Sequence, residues 1–283
     1  MNGAQIRSAS VAVVLMTGLF GLAPAARAAP SGAKIAVVPG GVVRWGGAGT
    51  ERCGMGGERW TPIDGVCWYP IDLLRPPGPL TVERWVGGAR RTAAVGVGRY
   101  PYAEQRLTIE DESKVDLSAA DLARAEREAA RVGELWSLRT PRRFTLPLAP
   151  PLAALPAEGR FGARRVINGQ PKSPHTGADY AAAAGTSVLA PAAGAVILAA
   201  DHFFSGNSVF LDHGDGLITM FFHLSEIEVK EGQEVRAGQR LGRVGATGRA
   251  TGPHLHFGVR WRGARIDPGP LIGPPAAVAE LHE

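Results

Sequence analysis

Glycine breaks the second half of this 283-residue chain into pieces too short to be helices. From about Phe161 onward, apolar runs of four to six residues alternate with Gly194, Gly206, Gly214, Gly216, Gly232, Gly238, Gly242, Gly245, Gly248 and Gly252. Typical runs are Ala195–Ala199, Ser208–Leu211, Leu217–Phe222 and His254–Val259. A helix that buries one face needs roughly 10–12 uninterrupted residues, whereas a strand needs only about 4–8. No convincing amphipathic helix interrupts the series, so this half is expected to be all-β. The 38 glycines and 22 prolines are spread over the whole chain, which extends the expectation of many turns to the first half.

Residues 29–112 carry short apolar stretches such as Gly40–Trp45 and Thr92–Val97, separated by Pro62, Pro76-Pro77-Gly78 and Gly87-Gly88. They are expected to form a small β-sandwich-like domain. One linking helix follows in 113–159. Ser118 is a good N-cap with Asp121 three residues on, and Leu122, Ala125, Ala129, Val132 and Trp136 recur at three- and four-residue steps. Pro141 ends it. The prolines of 139–159 then read as a semi-rigid connector, 160–274 as the second β domain and 275–283 as a tail. Fold class is thus mainly β.

At the N-terminus, Arg7, the apolar run Val11–Leu22 and the small-x-small Ala26-Arg27-Ala28 read as a signal peptide over 1–28. An uncleaved anchor is the other reading. No later stretch approaches the ~20 apolar residues of a spanning helix, so the mature chain is expected to be exported to the periplasm or cell envelope and not membrane-spanning. Cys53 and Cys67 are the only cysteines. In an exported chain the pair is expected to be a disulfide, two free thiols being the other reading. The net charge is only +5, and cleavage would remove two arginines of it. The basic residues are scattered without aromatic interleaving, so no nucleic acid is expected as a partner.

Four of the seven histidines and one aspartate fall into three short motifs. In Pro174-His175-Thr176-Gly177-Ala178-Asp179 the proline and glycine argue against a helix, and a bend into a strand would bring His175 and Asp179 together. Imidazole nitrogen and carboxylate oxygen both suit Zn²⁺. His223 ends a strongly apolar strand before Leu224-Ser225. In Gly252-Pro253-His254-Leu255-His256-Phe257, two histidines two residues apart share one face of a strand. That places one metal ligand beside one proton-transfer group.

The stretches Ser173–Asp179, Phe222–Ser225 and Gly245–Phe257 closely resemble the lysostaphin/LytM-type zinc endopeptidases, over residues 160–272. Val229–Gly242 resembles that family's glycine-turned hairpin. The resemblance implies one Zn²⁺ per chain held by His175, Asp179 and His256, with His223 and His254 as catalytic histidines. It also implies hydrolysis of peptidoglycan peptides. One departure is Phe221, where family members often have tyrosine. Three protein ligands leave the fourth position for water, and no His-Glu-x-x-His supplies a glutamate base, so a neutral imidazole is the natural substitute. Two rivals stand beside the peptidase. One is a non-catalytic scaffold of the same fold that activates other wall hydrolases, and the other a carrier or sugar-binding β module. His213 is expected to be a turn residue, His202 and His282 lack converging partners, and Arg164-Arg165 reads as a solvated pair. Gly242–Gly252 lacks the ending of a phosphate cradle and reads as a flexible groove wall.

Overall fold

A computed structural model describes residues 35–156, 159–275 and 278–282. The expected signal peptide lies outside the described residues. The first half forms strands β1 (Ile35–Val37), β2 (Val42–Trp45), β3 (Thr50–Met55), β4 (Glu58–Trp60) and β5 (Cys67–Pro70). The long hairpin β6 (Gly78–Val86) and β7 (Ala89–Val97) turns at Gly87-Gly88, both at positive φ, and β8 (Glu104–Leu107) follows. One sheet has the order β1-β7-β6-β3-β4, and β2 and β5 belong to a second. Val43, Trp45, Tyr69, Ile71, Val82 and Val95 are buried together between them. A disulfide joins Cys53 on β3 to Cys67 on β5, and so ties one sheet to the other.

Helix α1 (Ala119–Glu134) starts where its capping signal stands: the Ser118 hydroxyl accepts from the Asp121 N–H at 3.1 Å and donates to the Asp121 carboxylate at 2.7 Å. Its C-terminal turn, with Val132 and Trp136, lies on a buried patch of Leu198, Phe210, Ile218 and Met220. Leu122, expected on the apolar stripe, is exposed. Ion pairs tie the helix to the second half, Arg124 to Asp201 at 3.0 Å and Arg131 to Glu231 at 2.6 Å.

The second half begins with β9 (Arg164–Ile167) and β10 (Gln170–Pro171); β9 pairs in parallel with β8, welding the two halves in one small sheet. Then come β11 (Gly177–Ala181), β12 (Ser187–Leu189), β13 (Gly194–His202), β14 (Gly206–Asp212), β15 (Leu217–Ile227), β16 (Glu234–Val235), β17 (Arg240–Val244), β18 (His254–Trp261) and β19 (Ala264–Ile266). They form one antiparallel sheet whose main path is β11-β18-β15-β14-β13-β16, with β12, β17 and β19 attached beside it. Mainly β architecture with one substantial helix is therefore what the glycine spacing encodes.

The Pro-rich stretch departs from its reading as a connector. Phe144, Leu148 and Leu152 are buried in the core of the second half, with Phe144 edge-on to Trp261 at 5.9 Å. Its backbone is hydrogen-bonded at Arg143 to His213, at Leu148 to Leu271 and at Ala149 to Pro191. The apolar residues between the prolines supply burial that proline content alone does not reveal. The expected tail likewise contributes β20 (Ala279–Glu280), parallel to β2, with Leu281 buried in the first core. Among the described residues no helix is long and apolar enough to cross a membrane.

Candidate active site

His175 sits in the loop before β11, Asp179 on β11 and His256 on β18. Asp179 and His256 are direct cross-strand partners. Their ligand atoms form a tight triangle: His175 Nε2 to Asp179 Oδ1 3.0 Å, His256 Nδ1 to Asp179 Oδ1 2.9 Å, and His175 Nε2 to His256 Nδ1 2.9 Å. Tetrahedral ligands at ~2.0–2.1 Å from a zinc ion stand about 3.3 Å apart. Two nitrogens and one oxygen spaced this way fit a metal of that type. Each member is also held from behind. His175 Nδ1 meets the Arg160 carbonyl at 2.9 Å, which fixes the tautomer that leaves Nε2 for a ligand bond. Phe222 lies parallel to the His256 ring, centroids 5.0 Å apart. A Cβ on Gly177 would come within 2.6 Å of His256 Nε2, so only glycine lets β11 approach here.

His223 and His254 stand beside this triangle. Their ring centroids are 4.8 Å apart, and His223 lies 6.1 Å from His256. Both are oriented alike: His223 Nδ1 meets the Thr247 carbonyl at 2.9 Å, and His254 Nδ1 the Gly252 carbonyl at 2.8 Å. Each Nδ1–H donates to a carbonyl, which leaves Nε2 available as an acceptor. The His254 Nε2 lies 3.7 Å from Asp179 Oδ1. Backbone φ at His223 is +64°, and its N–H donates to the Ser205 carbonyl.

The electrostatics favour the neutral form at His223 and His256 and the charged form at Asp179. Burial, reinforced by the neighbouring His256 and His254, pushes His223 down to about 3. Burial likewise lowers His256 to about 4, against the pull of Asp179. At Asp179 burial by itself would raise the carboxyl, but hydrogen bonds from His175 and His256 outweigh it and hold it well below the usual carboxylate range.

All five residues singled out by motif therefore lie in one cleft. Two readings of the sequence change, at Arg165 and at the Gly245–Gly252 loop. Arg165 is not solvated: its Nη2 meets Asp179 Oδ2 at 3.1 Å, on the edge of the cleft, while Arg164 covers the Tyr100 ring. The loop Gly245–Gly252 is a wall but a braced one. Thr247 Oγ1 accepts from Asn207 N at 2.9 Å and donates to the Leu224 carbonyl at 2.8 Å, and Gly248, at φ +72°, packs directly on Gly206. Phe221 is fully buried against Phe257, so its ring faces the core and not the cleft. His213 is indeed in a turn, but wholly buried, with Nδ1 at 2.8 Å from the Ala193 carbonyl and Nε2 at 2.8 Å from Thr219 Oγ1. Sequence reasoning also missed the side walls. Gln105, Leu107 and Ile109 close the cleft beside Asp179 and His254, and α1 closes it beyond Phe222.

The profile of peptidase family M23 matches residues 173–268, the segment that holds all five residues. A crystal structure of a Pseudomonas aeruginosa chain assigned to peptidase M23 superposes with a TM-score of 0.63 at 36% identity, covering 83% of this chain and 95% of that one. The chain belongs to peptidase family M23, a family of metallopeptidases. Among curated relatives, the peptidoglycan DD-endopeptidase ShyA of Vibrio cholerae is 44% identical over 95 residues, 34% of this chain and 22% of its own length. The DD-carboxypeptidase/endopeptidase Mpg of Neisseria meningitidis is 45% identical over 94 residues, 33% and 22%. The matched segment thus spans about a fifth of these relatives.

Proposed function

We propose that this protein is an exported zinc metalloendopeptidase of the periplasm or cell envelope that hydrolyses peptide cross-links or stem peptides of peptidoglycan. The observation that carries the reading is the 2.9–3.0 Å triangle of His175, Asp179 and His256, with two tautomer-locked histidines beside it. The names of the matched relatives support the substrate class. When bound, Zn²⁺ supplies a Lewis acid and lowers the pKa of its water towards ~7. His175, Asp179 and His256 hold the ion. His223 and His254 each bond a carbonyl through Nδ1 and keep Nε2 for the reaction, so one imidazole of the pair takes a proton from the attacking water, the imidazolium N–H so formed stabilises the oxyanion, and that proton passes to the leaving amine. Arg165 holds one oxygen of Asp179 and leaves the other turned to the two ligand histidines. The scaffold reading is weaker, since the complete set of five residues is present.

The test is direct. Purified protein is expected to carry one zinc and to release peptides from isolated peptidoglycan, with mass spectrometry of the products naming the bond. No zinc after refolding with excess metal, or no product at all, would overturn it.

A further inference from the structure

On β18 the residues His254, His256, Gly258 and Arg260 follow one another at two-residue steps, all on the face away from the core. His254 and the proposed ligand His256 occupy one end of that row and Arg260 the other, about 13 Å from His256 at ~3.4 Å per residue. Between them lies a pocket of about 250 Å³, walled by Ala129 of α1 and by Trp136 just beyond its end, and floored by Met220 and Phe222. It is not separate from the catalytic cleft. Thr176, Phe204, Ser205 and Phe222 line both this pocket and the hollow in front of His175, His223 and His256.

The pocket is mainly apolar; Glu128, His202, Thr176 and Ser205 also line it, and Arg260 and Arg265 are its cationic groups. At its far end the Arg260 guanidinium stacks on Trp136, 4.1 Å from the ring centroid, and donates to the Gly263 carbonyl at 3.3 Å. The acidic groups nearby are already engaged: Glu128 accepts from Arg124 and from the Phe203 N–H, and Asp72 from the Arg265 N–H. Among the described residues no carboxylate pairs with Arg260. Burial, with Arg265 adding to it, lowers the guanidinium to about 10, which still leaves it charged at neutral pH. A partly dehydrated guanidinium of this kind gains most from a carboxylate, which it can receive with two parallel hydrogen bonds.

We propose that this pocket is a substrate subsite, in which α1 and Met220 enclose an aliphatic stem of the peptide and Arg260 receives a carboxylate at its end. The inference rests on the peptidase reading and extends it: it assigns to the helix upstream of the family-matched segment a part in choosing the substrate. Arg260 is then a specificity-determining residue, 13 Å or so from the chemistry, within the span of about four extended residues.

Two synthetic cross-linked peptides test it, identical except that one carries its side-chain carboxylates as carboxamides. Hydrolysis (kcat/KM) and calorimetric binding are measured on the full chain, as wild type, Arg260→Gln and Ala129→Phe. The wild type is expected to favour the carboxylate peptide about ten- to hundredfold, the usual range for a hydrogen bond to a charged group. Arg260→Gln should erase that preference by weakening only the carboxylate peptide. Ala129→Phe fills the pocket from the helix surface and should weaken both. No preference in the wild type, an equal loss on both peptides in Arg260→Gln, or unchanged binding in Ala129→Phe would overturn the subsite. Preferential binding without hydrolysis would sink the peptidase reading and leave the subsite standing.

Discussion

The floor of the cleft and its walls come from different parts of the chain and answer to different demands. The floor is β11, β15 and β18 with the loops between them, all inside residues 173–268. Its side chains are fixed by chemistry: ligand atoms about 3 Å apart, imidazoles locked by carbonyls, a glycine where nothing larger fits. The walls are the 105–109 segment and α1, both outside the matched residues. They are held by ordinary means, a parallel strand pair, a capped helix start and exposed ion pairs. Such pairs contribute little each. On the proposed reading, reaction and selectivity would sit on separate stretches of one chain and could be altered separately.

The floor should fail hardest, and in two distinguishable ways. His256→Ala removes a ligand and is expected to lose both metal and activity. His254→Ala and His223→Ala keep all three ligands, so zinc should stay near one per chain while hydrolysis falls by about two to four orders of magnitude. Metal content and rate measured on the same preparations decide it. If His254→Ala lost its zinc and His256→Ala kept it, the division of roles would be inverted.

Away from the floor the effects should be on stability. Cys53→Ser opens a bridge between two sheets and is expected to cost roughly 3 kcal/mol, read by urea denaturation, with zinc per folded chain unchanged. A parallel loss of zinc would show that the floor depends on the first-half sandwich. Smallest is Ser118→Ala, which removes the cap of α1 and should cost about 1 kcal/mol. Its effect on hydrolysis should be slight, and a loss as large as that of His254→Ala would break the separation of wall from floor.

Legibility followed the same line. Spacing paired His175 with Asp179 through a bend and His254 with His256 along a strand, whereas the gathering of the three motifs and the part of His223 were legible only through the resemblance to a known family. Glycine spacing disclosed the sheets, and Ser118 with Asp121 disclosed where α1 begins. What the sequence hid were contacts between distant segments. Arg165 meets Asp179 only because β9 is placed by β8, some sixty residues earlier in the chain. Phe144 and Leu148 look like spacers between prolines, and only the Trp261 and Leu271 they meet turn them into core. The Gly245–Gly252 loop reads as loose because its bracing by Asn207 and Gly206 leaves no periodic mark.

His223 occupies the left-handed region of backbone space, where a residue with a Cβ costs roughly 1–2 kcal/mol. Glycine would sit there at ease. Relief of backbone strain alone would therefore favour glycine at this position. The proposed proton carrier thus stands on strained backbone, and His223→Gly would relieve that strain while removing a buried ring, its bond to the Thr247 carbonyl and the proposed proton transfer together.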